Sequence, residues 1–134
     1  MILGLGLDLV DIPRMARILD GPPGRVERFV ERVFTQGERA YCDARVDRAS
    51  RYAARFAAKE AAIKALSLGH VGVDWRDIEV LRRDDGSCSL ALHGRAQEAA
   101  RLQGVSGALV CLSHDGEYAA AVVAALSDTA EPGA

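Results

Sequence analysis

Aromatic residues make up only 5% of this 134-residue chain, so its core has to be built mostly from Ala, Leu and Val. Trp75, three Tyr and three Phe, with a net charge of −2, offer little for stacking on bases or neutralising phosphates, which argues against a nucleic-acid partner. The cysteines Cys42, Cys88 and Cys111 are odd in number, widely spaced and without a Cys-x-x-Cys pair. That excludes a disulfide framework and a zinc site of the usual spacing, and it points to a reducing compartment, the cytosol. No apolar run reaches the roughly 18 residues of a membrane span, and the N-terminus lacks a cationic leader head, so no membrane is expected.

What is present suits one domain: 49% of residues are apolar and 27% charged. Charge is unevenly spread. Residues 1–64 carry 12 Lys/Arg against 9 Asp/Glu, a balance of +3, and residues 65–134 carry 5 against 10, a balance of −5. A basic first half suits an anionic ligand or an acidic protein partner, although solvated Arg-rich helices would give the same count.

Residues 2–10 alternate strictly and read as a strand, with Leu3, Leu5, Leu7 and Leu9 on one face. Gly4, Gly6, Asp8 and Val10 share the other, where the glycines leave open space beside Asp8. Asp11 can cap a helix with Pro13 in its first turn, which Gly21-Pro22-Pro23-Gly24 breaks. A short helix over about 25–33 follows, and Thr35 with Glu38 forms a capping-box pattern that starts another. A longer helix is expected over 48–68, stopping near Gly69. Residues 77–83 and 88–93 read as a hairpin through Asp85-Gly86, residues 95–103 as a helix, and 107–114 with 117–126 as a second hairpin around Asp115-Gly116. The expected class is α+β with mainly antiparallel pairing and one long helix, a single domain over 1–126 and a disordered tail over 127–134.

Within the long helix, Tyr52, Phe56, Ile63 and Leu66 fall on one arc of roughly 80° at 100° per residue. Lys59 lies inside that arc, where a charge needs either a route to solvent or a partner. The plain structural reading is a Glu60–Lys64 surface pair with Lys59 snorkelling out. Seven alanines between residues 51 and 66 also allow a close neighbour, though alanine is simply a good helix former. Asp8 is the second oddity, an acid in a strand of Leu, Gly and Val. One strand carboxylate and one helix carboxylate, with Lys64 nearby, are the kind of ligand set by which Mg²⁺ is held together with substrate phosphates. Ser113-His114-Asp115 is not a triad, because adjacent strand residues point to opposite faces. Gly4-Leu5-Gly6 lacks the third glycine and following helix of a dinucleotide fingerprint.

Taken together, Gly4-Leu5-Gly6-Leu7-Asp8-Leu9-Val10 with Arg14, Phe34-Thr35 with Glu38, Arg55-Phe56-Ala57-Ala58-Lys59-Glu60-Ala61 with Lys64, and Leu112-Ser113-His114 with Tyr118-Ala119 resemble the holo-acyl-carrier-protein synthase family of phosphopantetheinyl transferases. The resemblance spans residues 4 to 119 in order, and its most specific block is Arg55–Ala61. It implies a phosphopantetheinyl transferase-like fold and transfer of the 4′-phosphopantetheine arm of coenzyme A to a serine of acyl carrier protein. Asp8 and Glu60 would bind Mg²⁺ and, with Lys64, do the catalysis. Arg55, Lys64, Ser113 and His114 would hold coenzyme A, and Arg14, Arg17 and Arg28 would face the carrier protein. Glu60, directly or through a water, is favoured over Asp8 as the base. A homotrimer with sites between subunits is also implied. Its independent support is Ala119–Leu126, which has no polar residue and so should be buried on both faces. Where the family often has a Gly-x-Pro turn, Gly86-Ser87-Cys88 has none, which puts the register of the 88–93 strand in doubt. The alternatives are a transferase of the same fold serving polyketide or peptide synthesis, and a non-catalytic coenzyme A or carrier-binding module.

Overall fold

The alternating N-terminal segment forms β1 (Ile2–Asp11) in the structure, a computed structural model that describes residues 1–128. It leads into α1 (Ile12–Leu19), where the Asp11 side chain accepts the Arg14 N–H as an N-cap. α2 (Pro23–Val33) starts earlier than expected, because Pro23 in its first turn has no N–H to leave unpaired. The capping box forms as read: the Thr35 side chain accepts the Glu38 N–H and the Glu38 side chain accepts the Thr35 N–H, opening α3 (Gln36–Asp43). α4 (Arg48–Ala65) ends before Gly69, because Ser67 already takes a left-handed conformation at φ 54°. After a short 3-10 turn at Trp75–Asp77 come β2 (Ile78–Arg82), β3 (Cys88–Leu92), α5 (Gly94–Leu102), β4 (Gly107–Asp115) and β5 (Tyr118–Leu126).

Pairing is antiparallel throughout the described residues, in a three-stranded sheet of order β1-β5-β4 and a separate β2-β3 hairpin. The register of the doubtful strand is settled: Ile78 lies opposite Leu92 and Arg82 opposite Cys88. α4 lies on one face of the larger sheet, against β1, β5 and β4. Here the glycines of β1 act differently from the expectation. A Cβ at Gly6 would sit 1.9 Å from the Ala61 carbonyl oxygen, and one at Gly4 would sit 2.2 Å from that of Ala65. The space beside Asp8 is therefore not open but filled by helix backbone, drawn in by glycines on the strand and alanines on the helix. Ala61 and Ala65 are buried in this contact.

The opposite face of the sheet has no cover among the described residues. Leu5, Leu7 and Leu9 of β1 are 65%, 58% and 63% exposed, and Leu109 and Val122 continue the same apolar surface across β4 and β5. The expectation that β5 is buried on both faces thus fails inside one subunit: Ala121 and Val123 are buried, whereas Val122 is exposed. Of the expected tail, Ser127 exchanges backbone hydrogen bonds with Met1, and residues 129–134 lie outside the described residues.

Candidate active site

The glycine–alanine contact carries Asp8 to the flank of α4 that bears Glu60 and Lys64. The Lys64 ammonium lies 3.1 Å from Asp8 Oδ1 and donates to the Leu7 carbonyl at 2.9 Å. The expected Glu60–Lys64 pair is therefore replaced by an Asp8–Lys64 pair, because the strand offers both a carboxylate and a carbonyl to one ammonium. Glu60 makes no hydrogen bond or ion pair among the described residues. Burial, then the charge of Asp8, raise its carboxyl above the ordinary range, and Lys64 only partly counters this. Both acids line one cavity of about 450 Å³, walled also by Arg14, Met15, Ile18, Phe29, Phe56 and Tyr118.

Two carboxylates that face one cavity, one of them unpartnered and destabilised by the other, are a donor set that a hard divalent cation fits. Among the described residues no group of three or more His, Cys, Asp or Glu converges on a metal position. The remaining ligands of a cation at Asp8 and Glu60 would therefore be water and phosphate oxygens.

The other flank of α4 is basic. Arg55, 3% exposed, packs its guanidinium 4.1 Å from the centre of the Tyr41 ring, and its Nε has no hydrogen-bond partner. Arg45 and Arg82 approach the same ring at 4.6 and 5.4 Å. His114 is exposed on β4, close enough to Asp47 at the start of α4 to lower that carboxyl, chiefly an effect of the hydrogen bond from Arg51. Asp8 and His114 point to the same side of the sheet, but β5 separates their strands, so about 10 Å of sheet and the body of α4 lie between them. Arg55 and Glu60 are five residues apart on the helix and so about 140° apart around it. One chain thus carries an acidic cluster on one flank of α4 and a basic cluster on the other.

Lys59 neither snorkels nor belongs to either flank. It is completely buried, 2.8 Å from the equally buried Glu38 side chain, and donates to the carbonyls of Trp75 and Ile78. Glu38 closes the network by accepting the Val80 N–H at 2.8 Å. The residue that caps α3 is therefore also the counter-ion of α4, and the pair ties α3, α4 and β2 together.

A family model described as the 4′-phosphopantetheinyl transferase superfamily matches residues 4–123. The chain belongs to that superfamily. It is 60% identical over 123 residues to the holo-[acyl-carrier-protein] synthase of Anaeromyxobacter dehalogenans strain 2CP-C, covering 92% of this chain and 94% of that protein. It is 52% identical to the enzyme of the same name from Myxococcus xanthus, over 91% of this chain and 93% of that one. Its fold matches the Helicobacter pylori holo-[acyl-carrier-protein] synthase solved in complex with coenzyme A, with a TM-score of 0.77 at 27% identity, covering 91% of this chain and 99% of that one.

Within this superfamily member, the residues singled out from sequence fall into separate places. Asp8, Glu60 and Arg14 line one cavity, and Lys64 joins them through its pair with Asp8. Arg55 and His114 sit beyond α4, and Ser113 lies on the leucine face of the sheet, opposite to His114. Arg28 lines a groove that shares Ile18 and Phe29 with the first cavity and adds Arg25, Arg32 and Arg76. Arg17 is exposed on α1 and lines neither. Sequence reading passed over Arg25 and Arg32, although their i, i+3, i+7 spacing with Arg28 places all three on one face of α2. It also passed over Tyr41, Arg45 and Arg82, for which no local pattern exists, because β2 brings Arg82 from far along the chain.

Proposed function

We propose that this chain is a holo-[acyl-carrier-protein] synthase that transfers 4′-phosphopantetheine from coenzyme A to a serine of apo-acyl carrier protein, leaving holo-carrier and 3′,5′-ADP. The single observation that carries this reading beyond family membership is the Asp8–Glu60–Lys64 cluster at a cavity rimmed by Arg14. The serine oxygen attacks the β-phosphorus of coenzyme A and forms a new phosphoester bond. The bond from that phosphorus to the bridging oxygen breaks, and the oxygen leaves on the α-phosphate of 3′,5′-ADP. The serine proton passes to a carboxylate, and Glu60, directly or through a water, is favoured over Asp8 as the base that takes it. Lys64, more than half exposed, can turn from Asp8 to a phosphate oxygen and offset charge growing there. Asp8 and Glu60 would hold Mg²⁺, which when bound neutralises the pyrophosphate.

The partner is an acidic carrier protein of fatty-acid or polyketide synthesis, docked along Arg14, Arg17 and Arg28 on α1 and α2. The working unit is a homotrimer that closes over the leucine face, since an apolar surface of this extent on an isolated subunit marks an interaction site. In that assembly the acidic flank of one subunit meets the basic flank of the next, bringing Arg55 and His114 to the coenzyme A phosphates. The three free cysteines support a cytosolic setting.

The deciding experiment is mass spectrometry of apo-carrier protein after incubation with the chain, coenzyme A and Mg²⁺. A gain of one phosphopantetheine mass is expected. No gain with several unrelated carrier proteins overturns the reading, and a gain only on polyketide or peptide-synthesis carriers reassigns the partner.

A further inference from the structure

The basic flank is built around one side chain. Arg45 belongs to the loop after α3, Arg55 to α4 and Arg82 to the end of β2, and all three lie within 5.4 Å of the Tyr41 ring centre. The Tyr41 hydroxyl in turn accepts from Arg51 at 3.3 Å and from Arg82. Of these four guanidiniums only Arg51 has a carboxylate, Asp47; Arg45, Arg55 and Arg82 pair with none among the described residues. Three like charges without an acid repel one another, and nothing in their own backbones forces them together. What offsets the repulsion is the negative face of the ring and the lone pairs of its hydroxyl. Such a cluster has the chemistry of a polyanion site held in readiness, with the buried, unpartnered Nε of Arg55 as its innermost donor.

We infer that Tyr41 is a positioning residue that holds Arg45, Arg55 and Arg82 convergent for the phosphates of the nucleotide substrate. This rests on the proposal that coenzyme A is that substrate. Tyr41 touches no reacting atom. Its ring sets where three cations stand before the ligand arrives, so that binding does not have to assemble them against their own repulsion.

The test compares Tyr41→Leu, Tyr41→Phe and the unmodified chain in steady-state transfer, with separate KM values for coenzyme A and carrier protein. It also uses calorimetric binding of adenosine 3′,5′-bisphosphate, a probe that carries phosphates but no reacting pyrophosphate. Removing the ring in Tyr41→Leu should raise KM for coenzyme A, and Kd for the bisphosphate, by about tenfold or more, as expected when three cations are deprived of their shared ring together. kcat and KM for the carrier should stay within about twofold, since the reacting groups are on the other flank of α4. Tyr41→Phe keeps the ring and should recover most of the affinity. Equal bisphosphate affinity in Tyr41→Leu and the unmodified chain overturns the inference. So does an equal fall in kcat and in folded fraction for both variants, which marks Tyr41 as merely structural. If the unmodified chain binds neither coenzyme A nor the bisphosphate, the functional reading itself fails, an outcome that no Tyr41 variant can produce.

Discussion

The two flanks of α4 are solved by opposite means. On the acidic flank one ammonium pairs with Asp8, Glu60 has no hydrogen bond or ion pair among the described residues, and the excess negative charge is left for a ligand to satisfy. On the basic flank three guanidiniums share one aromatic ring, and the excess positive charge is left in the same way. Between them the helix has no polar freedom, because its alanines are pressed against the glycines of β1 and Lys59 is consumed by Glu38. Each flank leaves charge uncompensated, and the body of α4 keeps the two apart within one chain; joining them across subunits is what the proposed trimer would do.

The largest effect that would break this comparison comes from the acidic flank. Asp8→Asn and Glu60→Gln should each lower transfer roughly a hundredfold or more, since in the proposed mechanism several kcal/mol of charge stabilisation would come from a cation held there. The fold should be unchanged by circular dichroism, because neither change alters volume. Mixing Asp8→Asn with His114→Ala chains under subunit exchange should restore activity, as some interfaces then combine two intact flanks. If sedimentation shows a trimer and the mixture stays inactive, the flanks do not work across subunits.

Next in size is the separator. Lys59→Met leaves the Glu38 carboxylate buried without its cation, which should cost about 3–5 kcal/mol in denaturant-induced unfolding. A loss below about 1 kcal/mol, the range of an exposed pair, would mean that the network is not dry as described.

A smaller effect is expected from Arg14→Glu at the rim of the acidic flank. KM for the carrier should rise by about an order of magnitude while KM for coenzyme A holds, and the salt dependence of carrier binding should flatten. Parallel salt curves for variant and parent would remove Arg14 from the docking surface.

The smallest test is chemical labelling at pH 8. Burial pushes the Cys42 thiol up to about 12, so Cys42 should resist alkylation wherever the chain is folded. Cys111 shares the leucine face and should be protected only while subunits are assembled. Mass spectrometry before and after dilution to dissociating concentrations reads both. Constant labelling of Cys111 at all concentrations would argue that nothing covers that face.

Much of this was legible locally. The alternation of residues 2–10 predicts β1 and places Asp8 opposite the leucines, because strand periodicity needs only near neighbours. The Thr35–Glu38 spacing predicts the cap of α3 for the same reason. The arc of Tyr52, Phe56, Ile63 and Leu66 predicts the buried side of α4 only in part. Tyr52, Leu66 and the enclosed Lys59 are fully buried, but Phe56 and Ile63 are half-buried. The helix buries its alanines instead, because they let the glycines of β1 come close. What the arc cannot say is how Lys59 is satisfied, since the answer is a carboxylate 21 residues earlier on a different helix. Gly4 and Gly6 show the matching difficulty. A missing side chain looks like vacant space in a sequence, yet here it is where another backbone comes closest.

The chain's own order of residues determined its elements, the side of β1 that carries Asp8 and the superfamily to which it belongs, all of which follow from short-range periodicity and a contiguous motif. Only the tertiary structure decided that Lys64 pairs with Asp8 rather than Glu60, that Glu38 neutralises Lys59, and that Tyr41 gathers arginines from three separate segments. Charges choose partners by distance, and those distances are set by how closely α4 packs on the sheet. That approach depends on glycines and alanines far apart in the chain meeting face to face, which no local pattern encodes.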